Sequence, residues 1–144
     1  MSNLRGLGPN LQRLSPSNLV GYEPGVCNIG PAEIARRRRA GHAGLVVTAV
    51  LFAALIALGA PHWARLLLVV PAAGSASGYL QARLHFCAGF GSQGVFNFGP
   101  LGTTERVVDR QARARDRSKS LQIGLASLAI GLAVGVVAAL LPVG

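Results

Sequence analysis

Acidic side chains are scarce in this sequence: five in 144 residues, against fourteen lysines and arginines. Lysine occurs once, at Lys119, tryptophan once, at Trp63, and cysteine twice, at Cys27 and Cys87. With so few carboxylates there is no Ser-His-Asp set and no carboxylate pair, so the chain reads as non-enzymatic. The two cysteines form no C-x-x-C, and His85-x-Cys87 is a sparse ligand set for a metal. What is missing over the longest distances is charge. Ala43 to Ala60 and Leu121 to Val143 carry none, and Ala64 to Leu84 carries only Arg65 and Arg83, one near each end. A bilayer core takes roughly 20 apolar residues per helix. The expected fold is therefore an all-α integral membrane protein with three transmembrane helices, a hairpin plus a third helix, behind a disordered N-terminal tail.

The charge that is present is basic and clustered. A net charge of +9 would suggest nucleic acid in a soluble protein. Here the basic residues flank the apolar stretches, which is how membrane orientation is written. Arg36, Arg37, Arg38 and Arg39 precede the first stretch. Arg106, Arg110, Arg113, Arg115, Arg117 and Lys119 precede the third. If the second stretch returns the chain, both clusters share one side and Arg65 stands alone on the other. The positive-inside rule then puts the N-terminus and the segment from Phe86 to Ser120 in the cytoplasm, with the C-terminus outside. The preference for arginine over lysine, with abundant Ala and Gly, is the bias of a GC-rich bacterial genome, so the expected location is a bacterial inner membrane. Gly, Pro, Asn and Ser interrupt any apolar run before Arg36, so no signal peptide is expected.

Three segments follow: a cytoplasmic tail over 1–26, a helical-hairpin unit with a Gly/Phe-rich interfacial loop over 27–104, and a basic connector with the third helix over 105–144. Asn28 or Gly30 suits the N-cap of the first helix, Pro31 its first turn, and Glu33 the positive end of its dipole. Gly59-Ala60-Pro61-His62 reads as the hairpin turn, with Trp63 at the interface just past it. Gly89-Phe90-Gly91-Ser92-Gln93-Gly94 lacks the Gly-Lys-Ser/Thr ending of a phosphate loop. It suits a shallow interfacial loop whose phenylalanines reach the headgroups.

Small residues recur at helical spacing. Gly74 and Gly78 form a small-xxx-small pair, Ser127, Gly131, Gly135 and Ala139 repeat every four residues, and so do Ala49, Ala53 and Ala57. In lipid, close backbone approach through such residues supplies helix packing. The contact is either within the chain or to a partner or second copy. No acidic residue, His or Lys lies mid-span, which argues against a proton-coupled transporter. Ser75 and Ser77 are the polar residues there, and each is expected to bond a carbonyl of its own helix. The hairpin should bring Cys27 and Cys87 to the same interface, with His42 and His85 on that side. A thiol pair there would suit sulfur, soft-metal or redox chemistry. Two independent reduced cysteines are the simpler reading. The arginine runs and Lys119 could also hold anionic headgroups.

Asn28, Gly30, Glu33, Arg36, Phe86 and Cys87 carry a resemblance. Over residues 27–98 the chain resembles the small two-helix membrane domain that follows the rhodanese domain in some bacterial sulfurtransferases. That likeness implies a hairpin membrane unit. Ile34 follows Glu33 where the family has Arg, Ala88 follows Cys87 where it has Pro, and a third helix is added. Without a rhodanese domain, sulfurtransferase activity is not implied. The expected function is an accessory or assembly subunit, without a cofactor, acting through helix contacts with another membrane protein or a second copy. A cytoplasmic-face thiol site at Cys27 and Cys87 is one alternative, and an oligomeric channel another.

Overall fold

The computed structural model describes residues 21–144. Most of these are helical. The order is α1 (Pro31–Ala57), a 3₁₀ helix (His62–Leu68), α2 (Val69–Leu84), α3 (Ala88–Gln93), β1 (Val95–Phe96), β2 (Glu105–Arg106) and α4 (Arg110–Leu140). The short antiparallel β1–β2 pair, Val95 opposite Arg106 and Phe96 opposite Glu105, departs from an all-α expectation. Of the expected tail, residues 1–20 lie outside the described residues. Residues 21–26 form a turn closed by an antiparallel bridge between Glu23 and Cys27.

Two helices, α1 and α4, are long and apolar enough to cross a membrane. The middle stretch is different. Its α-helical part, α2, has 16 residues, and the 3₁₀ helix before it adds seven. Val69 N donates to Leu66 O where the 3₁₀ helix gives way to α2, and Pro71 sits in the first turn of α2, where a missing N–H is tolerated. α1 ends where expected. Gly59 adopts φ +64°, and Gly59 N and Ala60 N donate to Ile56 O and Leu55 O, closing the helix end before Pro61 turns the chain.

The described residues divide into two compact units, one of 36–81 with 123–144, the other of 21–35 with 82–122. The division falls inside α1, α2 and α4.

In the first unit three helix segments pack through glycines. A Cβ on Gly78 would lie 2.5 Å from Gly41 N and 2.8 Å from Arg37 O, and one on Gly44 would lie 2.8 Å from Ser75 N. Ser75 Oγ donates to Gly41 O at 2.8 Å, so this serine ties α2 to α1 and does not cap its own helix. Ser77 Oγ instead accepts from Gln81. On α4, a Cβ at Gly131 would meet Val69 O at 2.7 Å, and one at Gly135 would meet the Val69 side chain. Gly74 has open space around it, so it takes no part in the pair read with Gly78. Ala49, Ala53 and Ala57 are exposed, because α1 approaches α2 through Gly41 and Gly44.

α4 carries one buried stripe along its length: Ala112, Asp116, Ser120, Ile123, Ser127, Gly131, Gly135 and Ala138. Steps of four overshoot a 3.6-residue turn, so a step of three restores the face. The stripe therefore ends on Ala138 and not on Ala139. Ser120 and Ser127 turn their hydroxyls onto Asp116 O and Ile123 O of their own helix.

The second unit has its own core of Phe96, Val107 and Ala112, with Tyr22 and Phe98 packed on it. Tyr22 stacks on Phe96 at 4.7 Å. Phe86 and Phe96 are fully buried, so these rings do not reach for headgroups. Gly91 lets α3 lie close to Phe86 and Ser120, and Gly94, at φ +71°, closes α3.

Candidate functional site

Two buried asparagines organise the second unit. Asn28 Oδ1 accepts from Cys87 N at 2.7 Å, and Asn28 Nδ2 donates to Cys87 O at 3.1 Å. Its backbone N donates to His85 O. Asn97 N donates to Asn28 O, and Gly30 N donates to Asn97 O. Asn97 Oδ1 accepts from Gly99 N and Thr103 Oγ1, while its Nδ2 donates to Pro100 O and, at 3.4 Å, to Glu33. A Cβ on Gly30 would lie 2.9 Å from Phe98 Cα, so only glycine permits this approach. Gly30 therefore takes the N-cap position of α1, and Asn28 is spent on Cys87.

The tetrapeptides Asn28-Ile29-Gly30-Pro31 and Asn97-Phe98-Gly99-Pro100 share the pattern Asn-x-Gly-Pro, and Ile29 pairs with Asn97 in a parallel bridge. Sequence inspection could have found this repeat by self-comparison, and did not. Asn28, Gly30, Glu33 and Cys87 all belong to this network.

Neither cysteine is disulfide-bonded. Cys87 is buried, and its Sγ accepts from Phe90 N at 3.5 Å as the N-cap of α3. Cys27 is half-buried, its Sγ 3.8 Å from Ile29 O. Burial pushes the Cys27 thiol up, outweighing the Ile29 hydrogen bond, so it stays protonated at neutral pH. Among the described residues no three His, Cys, Asp or Glu side chains gather as a metal site. His85 is exposed at the end of α2 with φ +53°, and His42 bonds Tyr79 OH.

Tyr22 OH donates to Asp116 Oδ2 at 2.7 Å, and Gly25 N donates to Asp116 Oδ1 at 2.8 Å, so the turn before α1 is fastened to α4. Burial and the neighbouring Asp116 carboxylate both raise the Tyr22 phenol well above the ordinary tyrosine range.

In the helical unit, Arg65 is fully buried and donates to the carbonyls of Ala138 (3.1 Å), Leu141 (2.8 Å) and Val143. His62 Nδ1 pairs with Ala139 O. The last turn of a helix leaves carbonyls unpaired and carries the negative end of the dipole, so a guanidinium suits it. Sequence reading saw Arg65 only as a lone charge beyond the hairpin. Beside this cap lies an open apolar groove of about 450 Å³, lined by Leu45, Phe52, Leu68, Val134, Val137 and Leu141 among others. Arg36, Arg38, Arg39, Arg113, Arg115 and Arg117 are exposed, while Arg37 and Lys119 are half-buried. No protein-family model, curated protein or solved structure matches this chain.

Proposed function

We propose that this protein is a multi-pass subunit of a bacterial inner membrane that acts by packing a partner's membrane helix against α1 and α4. The observation that carries the reading is apolar surface left over after internal packing. Only 6% of the most apolar 18-residue window of α1 is buried, and 28% of that of α4. The core helix of a soluble protein would be mostly buried, whereas lipid or a partner helix accepts such faces. The groove beside Phe52 and Val134 adds a concave apolar surface on the same unit.

The middle segment serves as the third span in this reading. Its 3₁₀ and α-helical parts, at 2.0 and 1.5 Å rise per residue, reach about 38 Å, which exceeds a hydrocarbon core of roughly 30 Å. The arginine clusters then lie in the cytoplasm with the N-terminus, and the C-terminus lies outside. Arg65 fits the outer side because its charge is spent on carbonyls of α4.

Reporter fusions at residue 2, residue 112 and the C-terminus test the topology, and a cytoplasmic signal from the last would sink the three-span reading. A photo-crosslinker at Val134 in the groove, compared with one at the open position Gly124, tests the contact. An adduct with one defined membrane protein, or with a second copy, is expected from Val134 alone. The thiol-site reading keeps one support, the Asn28 clamp that ties the Cys27 segment to Cys87.

A further inference from the structure

The turn fastened by Asp116 forms, with α4, a shallow depression of about 290 Å³ lined by Pro24, Gly25, Arg115, Ser118, Lys119 and Gln122. The four α4 residues are spaced i, i+3, i+4, i+7, which places them on one helix face. Arg115 and Lys119 lie one turn apart, with a hydroxyl and a carboxamide on the same strip. Gly25 makes the opposite wall. It adopts φ +72°, where a side chain is strained, and a Cβ there would crowd Arg115 Cβ at 3.3 Å.

We infer that this depression binds the phosphate of an anionic phospholipid headgroup. Its depth along α4 carries the choice of ligand. Lys119 is the last charge on the helix, and from Leu121 to Val143 none follows. A site spanning Arg115 to Gln122 therefore lies where a spanning helix passes from headgroups into hydrocarbon. Two cations with neutral donors suit a phosphodiester. Asp116 does not line the depression: it is buried, with its two oxygens turned onto Tyr22 OH and Gly25 N. Arg113 and Arg117, on the same helix, do not line the depression, so this site separates two of its basic residues from the rest. The inference rests on α4 crossing a bilayer.

The test uses the full chain purified in detergent with phosphatidylglycerol or phosphatidylcholine, and native mass spectrometry to count retained lipid. Wild type and an Arg113→Gln/Arg117→Gln control should retain one phosphatidylglycerol, and Arg115→Gln/Lys119→Gln should lose it by about 10- to 30-fold. Phosphatidylcholine should not be retained by any of them. Equal loss in both double variants would show diffuse attraction and overturn the site, as would unchanged retention in the pocket variant. Inorganic phosphate bound by wild type without any retained phosphatidylglycerol would assign the depression to free phosphate and overturn the lipid. Circular dichroism checks that each variant is folded. Alkaline carbonate extraction separates the two levels: protein released from membranes sinks the membrane reading, whereas protein that stays integral but retains no phosphatidylglycerol sinks this site alone.

Discussion

Asn28 grips the backbone of Cys87 with both ends of its carboxamide, at 2.7 and 3.1 Å, across 59 residues of sequence. Each residue is buried, so water cannot replace either bond. Asn28→Asp keeps the shape but turns an acceptor onto the Cys87 carbonyl. It should destabilise the unit by about 2–4 kcal/mol, and Asn28→Ala should do comparable damage. Denaturant unfolding followed by circular dichroism checks this. Wild-type stability in Asn28→Asp would show that the amide donor is dispensable.

Glycine contacts separate two positions that look alike in sequence. Gly78→Ala would drive a methyl into the Gly41 backbone, whereas Gly74→Ala meets nothing within 4 Å. Gly78→Ala should cost ~1–3 kcal/mol, and Gly74→Ala should be neutral or mildly stabilising. The same contrast is expected between Gly131→Leu and an exchange of the exposed Leu132 for Ile. Thermal stability in detergent measures both pairs, and equal tolerance within either pair would contradict the packing described.

Arg65 should be irreplaceable by an apolar residue. Arg65→Leu leaves the carbonyls of Ala138 and Leu141 without their donor, at a cost of about 2–4 kcal/mol. Arg65→Lys keeps the charge but not the fork, and should recover only part of it. Hydrogen exchange over residues 136–141 is the direct readout, with faster exchange expected in Arg65→Leu.

Tyr22 sets an alkaline limit. Its phenol pKa is raised in the folded state, so the associated stability is fully present below the ordinary tyrosine range near 10 and is lost as pH climbs above it. Tyr22→Phe should flatten that alkaline loss. At neutral pH it should cost about 1.5–3 kcal/mol, because Asp116 loses a donor to a charged group. Melting temperature measured from pH 7 to 11 distinguishes the two effects.

The cysteines should differ in reactivity. Cys87 is sealed under α3, and Cys27 carries a thiol held protonated by burial. Iodoacetamide at pH 8 should modify Cys27 more slowly than a free thiol, speeding up as pH rises, and Cys87 only on unfolding. Rapid alkylation of Cys27 at pH 7 would revive thiolate chemistry at this position.

The one-dimensional features were legible without coordinates. Charge-free length alone marked α1 and α4 as helices long and apolar enough to cross a membrane. The turn at Gly59 and the start at Pro31 followed from local backbone rules that need no partner. The four-residue series of Ser127, Gly131 and Gly135 also survives as a buried face, because helix geometry fixes which residues share a side. Tertiary structure decided what those local rules leave open. Whether a glycine meets a backbone or empty space depends on where another helix lies, which separates Gly78 from Gly74. The middle segment, charged only at its ends, is wound in two ways, as a 3₁₀ helix and then as α2. Phe96 and Phe98 look like a headgroup anchor in sequence, yet Tyr22, Val107 and Ala112 give them a core. Asn28 meets Cys87, and Arg65 meets the end of α4, across more than 50 residues. Pairings at that separation follow from the path of the folded chain, since the residues between them carry no local signal of which partner closes the bond.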